Sequence, residues 1–295
     1  ILTALLPIPP QEEQRRIINQ FKYITPLIAE YGAKEAALSE LNTSLPSLLK
    51  KSILQEALQG KLVPQDPNDE PARFLLERIR KEKARLVKEG KLKPGKHESV
   101  IFRRDNSHYE KLDGKERCID DEIPFEIPEN WEWVRLTHIA ESELGKTLDK
   151  ARNTGEIKPY LCSINVYWTG IDLSEVKQTK FEPPEKEKYH LLDGDLLICE
   201  GGDVGRCAIW HGTNEMYYQN ALHRVRFYGE VIPEYFQLIF EAYKGAGIID
   251  EASKGMTIKH FTQTALYTLF FPLPPLKEQH RIIETIESLF SYLDK

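Results

Sequence analysis

No stretch of this 295-residue chain stays apolar for the roughly 20 residues a bilayer crossing needs. Its opening residues, ILTALLPIPP, have neither the basic start nor the small-residue cleavage site of a secretory signal. Both absences predict a soluble, cytoplasmic protein with no membrane partner. Cysteine is scarce: Cys118, Cys162, Cys199 and Cys207 form no C-x-x-C pair and no metal-ligand spacing, which argues against a disulfide framework or a zinc site and predicts reduced structural thiols. The eight histidines include no H-E-x-x-H pairing, so metal catalysis has no visible ligands. Positive charge is also short, with 40 Lys plus Arg against 46 Asp plus Glu and a net charge of -6. A general nucleic-acid coat carries a basic domain, because phosphate neutralisation supplies much of non-specific affinity. Here only residues 71–117 are net basic, with 15 basic and 8 acidic side chains, whereas 124–272 hold 15 and 22. DNA binding would need local clusters, or a partner to hold the phosphates.

Phosphate-loop and nuclease signatures do not assemble. Gly145-Lys146-Thr147 resembles the end of a phosphate loop, but Ala140 stands where its first glycine belongs. GGDVG at 201–205 lacks G-x-G-x-x-G spacing and reads as a tight turn with close backbone approach. Asp193, Asp195 and Glu200 could imitate a nuclease carboxylate cluster, though D-G-D equally reads as a turn before a strand.

What the sequence does contain is a repeat. LLPIPPQEEQRRIINQF at 5–21 aligns with FFPLPPLKEQHRIIETI at 270–286, identical at eight of seventeen positions with a constant offset of 265 residues. Each copy reads as a strand end, a proline turn and a helix start. After Pro10 the heptad positions Ile17, Ile24, Tyr31, Leu38 and Leu45, with Phe21, Ile28 and Leu49 between them, predict a helix of about 45 residues, spanning roughly 65 Å, with one apolar seam. Pro26 and Pro46 should bend it. The seam predicts association with a second copy or another subunit; burial on the chain's own globular part is the other reading. Asp69 or Asn68 should cap, and Pro71 open, an amphipathic helix whose apolar face is Phe74, Leu75, Ile79, Leu86 and Val87. Its basic excess is either a solvated face or a contact for DNA phosphates or an acidic partner. From Pro124 to Pro272 short β-rich runs (WEWVRL, PYLCSINVYW, DLLICEGG, RCAIWH, HRVRFYG, YTLFFPL) predict a mainly β domain with one inserted helix at Pro233–Tyr243.

In their order, the duplicated PIPPQEEQRRII and PLPPLKEQHRII, the segment 51–91 (KSILQEALQG through LVKEGK), IPENWEWVRL, and the pair GDVGRCAIW and GMTIKHF resemble the specificity subunits of type I restriction-modification enzymes. The resemblance covers nearly the whole chain. It implies a non-catalytic DNA-recognition subunit: two target-recognition domains, each reading part of a split target, joined by two long antiparallel spacer helices. Methyltransferase subunits would dock around them, with motor-nuclease subunits in the larger complex; S-adenosylmethionine, ATP and Mg would belong to those partners. This chain departs from that pattern in carrying one recognition domain and a short second helix, which suggests a half-subunit or fragment that pairs with a second copy.

The expected fold is thus α+β: 1–10 the last strand and proline turn of a missing or partner domain, 11–60 a spacer helix, 61–123 a basic helix and linker, 124–272 the recognition domain, and 273–295 the stub of a second helix. Major-groove readout favours Arg or Lys on guanine and Asn or Gln on adenine. Candidate readers on polar loops are Lys146, Thr147, Arg152 and Asn153; Arg206, Gln219, Asn220 and Arg224; and Lys254, Thr257 and Lys259, whose loop KGMTIK ranks first because glycine lets backbone approach phosphate. Tyr160, Tyr167 and Trp168 are expected beneath these loops as core. Two readings from other classes stay open, a stand-alone Mg-dependent nuclease using Asp193, Asp195 and Glu200, and a coiled-coil scaffold that binds protein only.

Overall fold

A computed structural model describes residues 7–92, 99–112, 114–149, 154–253 and 260–293. The expected strand at 1–6 lies outside them. The chain divides into two compact units, residues 1–50 and residues 51–293. The first is helical: α1 (Gln11–Leu58) begins here after the proline turn, continues without interruption across Pro26 and Pro46, and passes its last turns to the second unit. Ahead of Pro46, the hydroxyls of Thr43 and Ser44 bond to the carbonyls of Ser39 and Leu41.

Helix α1 stops at Gly60, whose φ of +67° closes the end while Lys61 donates to the Glu56 carbonyl at 2.9 Å. Any Cβ at Gly60 would collide with Pro128, so glycine is needed both for the turn and for the close approach. Helix α2 (Ala72–Lys88) follows Pro71 without the expected side-chain cap. Asn68 instead bonds to Asp66, and buried Asp69 pairs with Arg281 at 2.6 Å. Its buried face is Leu75, Leu76 and Ile79; Phe74 is exposed, one position off the expected stripe.

Residues 99–118, expected as linker, form an antiparallel meander: β1 (Ser99–Arg104), β2 (Ser107–Leu112) and β3 (Lys115–Cys118). Asp105 and Asn106 turn the first hairpin with φ of +52° and +64°, the left-handed pair that matches strand twist. Ile101 pins the meander to Trp133 and Phe270.

Then come β4 (Glu132–Arg135), α3 (Leu136–Ile139), β5 (Ala140–Leu144), β6 (Glu156–Leu161), β7 (Val166–Tyr167), β8 (Gly170–Ile171) and β9 (Lys177–Phe181). After α4 (Pro183–Tyr189), opened by the proline pair, the chain forms β10 (Leu196–Cys199), β11 (Cys207–Ile209), β12 (Tyr217–Tyr218) and β13 (Leu222–Phe227). It closes with α5 (Pro233–Gly245), α6 (Ile248–Ala252), α7 (Gln263–Thr268), β14 (Phe270–Leu273) and α8 (Leu276–Leu293). The main sheet has the order β11-β10-β13-β5, all antiparallel, and a second sheet has the order β12-β6-β9. A core runs from Leu54 and Leu58 of α1 through Leu75 and Ile79, Trp131, the aromatic face of α5 and Phe271 to Ile282 and Ile286 of α8. It therefore crosses both positions, 123 and 272, where composition shifts.

Candidate nucleic-acid interface

Backbone hydrogen bonds gather four separate segments at one end of the main sheet. Glu200, just past β10, donates to the Ala221 carbonyl at 2.9 Å and accepts from Phe261 at 2.8 Å. Cys199 and Gly205 close the 200–206 turn on the same strand, with Gly205 at φ +83° lying flat against Ile249. Lys146 donates to the Tyr218 carbonyl at 3.1 Å and accepts from Asn220 at 3.0 Å, drawing 145–147 beside 219–220. A Cβ on Gly145 would sit 2.3 Å from the Gln219 carbonyl oxygen, so this approach requires glycine.

The candidate readers separate on this platform. Lys146 is 4% exposed; its ammonium pairs with Glu185 and lies 5.3 Å from the Phe181 ring centre. Burial pushes the Glu185 carboxyl up, but the Lys146 contact outweighs it and holds the group below its usual range. Arg224, also 4% exposed, donates to Glu141 at 3.1 Å. Both charges, expected at the DNA surface, are internal ties. Thr147 is exposed, and the half-buried amide side chains of Gln219 and Asn220 make no hydrogen bond among the described residues. Arg206 donates to the Ser163 carbonyl at 2.8 Å and lies 4.9 Å over the Tyr167 ring. Tyr167, expected as core, is 42% exposed; Tyr160 is buried. Arg152, Asn153, Lys254, Thr257 and Lys259 lie outside the described residues.

Sequence reasoning missed His223. Fully buried, it donates from Nε2 to the Phe261 carbonyl at 2.7 Å and so fixes the backbone that follows 254–259. Burial lowers its pKa, against the raising effect of that bond. Two of the three nuclease carboxylates are engaged by different partners. Asp195, 1% exposed, is held bidentately by Arg226 at 2.6 and 2.7 Å and accepts from the Leu192 amide, while Asp193 is exposed beside His211. Glu200 is pushed up by burial. Among the described residues no group of three His, Cys, Asp or Glu could hold a metal ion, and no helix is long and apolar enough to cross a membrane.

On the first unit, the seam stands open to solvent: Ile17, Phe21, Ile24, Ile28, Tyr31, Leu38, Leu45 and Leu49 are between 36% and 73% exposed. The repeat has the same local lock in both copies, Gln14 donating to the Pro9 carbonyl at 2.7 Å and Gln279 to that of Pro274 at 3.0 Å. Yet Ile282 and Ile286 are buried where their counterparts Ile17 and Phe21 are not.

Residues 128–295 match the family described as the type I restriction modification DNA specificity domain, and the chain belongs to that family. It is 33% identical over 258 residues to the type I restriction enzyme EcoAI specificity subunit of Escherichia coli, covering 84% of this chain and 40% of that protein. Against the EcoEI specificity subunit of the same organism it is 26% identical, covering 98% and 54%. A crystal structure of the HsdS subunit from Thermoanaerobacter tengcongensis aligns with a TM-score of 0.46 at 18% identity over 98% of this chain and 54% of that one. The chain thus spans about half the length, or less, of the curated relatives it matches.

Proposed function

We propose that this chain recognises DNA sequence within a type I restriction-modification complex, reading part of a split target and docking methyltransferase subunits. The observation that carries the reading is the sheet end where Thr147, Gln219 and Asn220 stand with Arg206, their amides unengaged in a rigid frame. Free amides suit bidentate contact with adenine. Lys146 and Arg224, spent on Glu185 and Glu141, are left out of the contact set; Arg152, Asn153, Lys254, Thr257 and Lys259 stay in it. With few free cations among the described residues at this end, much of the phosphate holding falls to the methyltransferase subunits.

Helix α1, 48 residues and about 70 Å long, serves as spacer, and its open seam takes a second copy of the chain or another subunit. The chain breaks no bonds and carries no cofactor. S-adenosylmethionine, ATP and Mg act in the methyltransferase and motor-nuclease subunits. The nuclease alternative is disfavoured by Asp195, whose oxygens are occupied by Arg226.

Purified chain with magnesium should leave DNA intact, and with the methyltransferase subunit it should protect one short sequence from nuclease digestion. Cleavage by the chain alone, or protection without sequence preference, would overturn the reading.

A further inference from the structure

Three arginines on the second unit hold no acid in an ion pair among the described residues, although Arg73 lies 4.9 Å over the Phe74 ring. Arg73 and Arg80 lie seven residues apart on one face of α2, and Arg103 lies at the end of β1; all three are exposed, and none makes an ion pair among the described residues. Neighbouring arginines are spoken for: Arg78 pairs with Glu70 and Glu230, Arg85 with Glu82 and Glu89, and Arg104 with Glu116. Ala72 donates to the Asn130 carbonyl at 2.9 Å and Ile101 packs with Trp133, which brings the start of α2 and β1 alongside Glu132 at the start of β4, a half-buried carboxyl that burial pushes up while the charges of Arg73, Arg80 and Arg103 draw it down. Glu77, between the two helix arginines, is the other acid on that face. Two carboxyls against three guanidiniums leave a net positive cluster in a chain that is net acidic elsewhere.

Its location decides what it can hold. Lys83 of α2 donates to the Thr137 carbonyl of α3, and Arg80 acts electrostatically on His138 of the same helix, so the cluster neighbours the α3 end of β5, where Ala140 begins. The candidate reading loops leave the opposite end, past Leu144, the full ~17 Å of a five-residue strand away. The loops and the cluster therefore lie at opposite ends of β5. Guanidinium forks hold carboxylates bidentately, and three on a rigid helix-and-strand base suit an acidic protein surface.

We propose that Arg73, Arg80 and Arg103 form a docking site for an acidic patch on the methyltransferase subunit, set on the side of the domain away from the bases it reads. This rests on the reading that such a subunit docks here, and adds the site and its chemistry. The test is a titration of the full chain with the methyltransferase subunit of its own restriction system, in low and in moderate salt. Charge reversal at all three positions (Arg73→Glu, Arg80→Glu, Arg103→Glu) should weaken the complex roughly tenfold to thirtyfold at low salt and flatten its salt dependence, with DNA affinity of the chain alone unchanged. A triple Arg→Gln variant with wild-type melting temperature should lie between. Wild-type affinity for the methyltransferase in both variants overturns the site; lost DNA affinity with an intact protein complex reassigns it to phosphate and overturns it too. Failure of the unaltered chain to bind the methyltransferase would instead remove the underlying reading.

Discussion

Trp131 donates its indole N–H to the Glu278 carboxylate at 3.0 Å across 147 positions of sequence, with both side chains buried. The bond ties the IPENW segment to the first turn of α8, where Gln65 adds a second donor to the same carboxylate. Burial pushes Glu278 above the usual carboxylate range, against the lowering effect of Trp131 and Gln65. A carboxyl raised in the folded state lends stability that is complete at low pH and is lost as pH rises through its folded value. Glu278→Gln, which keeps an acceptor for the indole, should therefore hold or raise the melting temperature at pH 8, whereas Glu278→Ala should cost about 1 to 3 kcal/mol by stranding the indole N–H. Thermal unfolding of both variants at pH 5 and pH 8 checks the pair.

Acid sensitivity should have a second, opposite source at the meander. His138 is held down to about 3 by burial and by the charges of Lys83 and Arg80, while its Nε2 faces the Ser99 hydroxyl at 2.6 Å. Glu110, pushed up by burial but held at about 2 by Arg135 and Arg117, acts in the same sense. Both folded values are depressed, so stability is present near neutrality and falls as pH drops, first below the ordinary histidine range and then below the carboxylate range. The melting temperature should decline steadily from pH 7 to pH 4. His138→Gln should remove the upper part of that decline; an unchanged profile would show that His138 titrates normally.

Gln219 and Asn220 should carry discrimination without carrying general affinity. Gln219→Ala or Asn220→Ala is expected to cost about 1 to 3 kcal/mol on the cognate sequence and almost nothing on random DNA, with the same salt slope. Lys146→Met should lower the melting temperature and leave base preference intact, because its partner is Glu185. Competition binding with single-base-pair target variants separates the two outcomes.

The open seam of α1 gives an association prediction. Ile24 and Ile28, 36% and 64% exposed, lie one turn apart, and burying what remains open of the two against a partner contributes about 1.5 to 3 kcal/mol in all. Replacing both with lysine should weaken association roughly tenfold to a hundredfold by sedimentation, at unchanged helix content.

Much of this architecture was legible because local patterns matched it. The heptad of α1, the strand runs and the proline-started helix at 233 all formed close to where spacing put them. The meander did not show, because its strands SVIFRR and SHYEKL alternate charged and apolar residues over too few positions, and its turn is Asp-Asn where Asn-Gly is the stronger signal. The roles of Lys146 and Arg224 were hidden for another reason. Their acidic partners, Glu185 and Glu141, lie 39 and 83 positions away, and only the folded sheet brings them together. Charge on a polar loop is visible in sequence; what neutralises it is not.

Methylation mapping of DNA treated with the reconstituted complex bears most directly on the recognition assignment. Modification confined to one split motif of fixed spacing, and relaxed at defined bases by Gln219→Ala or Asn220→Ala, is the predicted result. Methylation scattered without a motif, or a motif untouched by both substitutions, would contradict it.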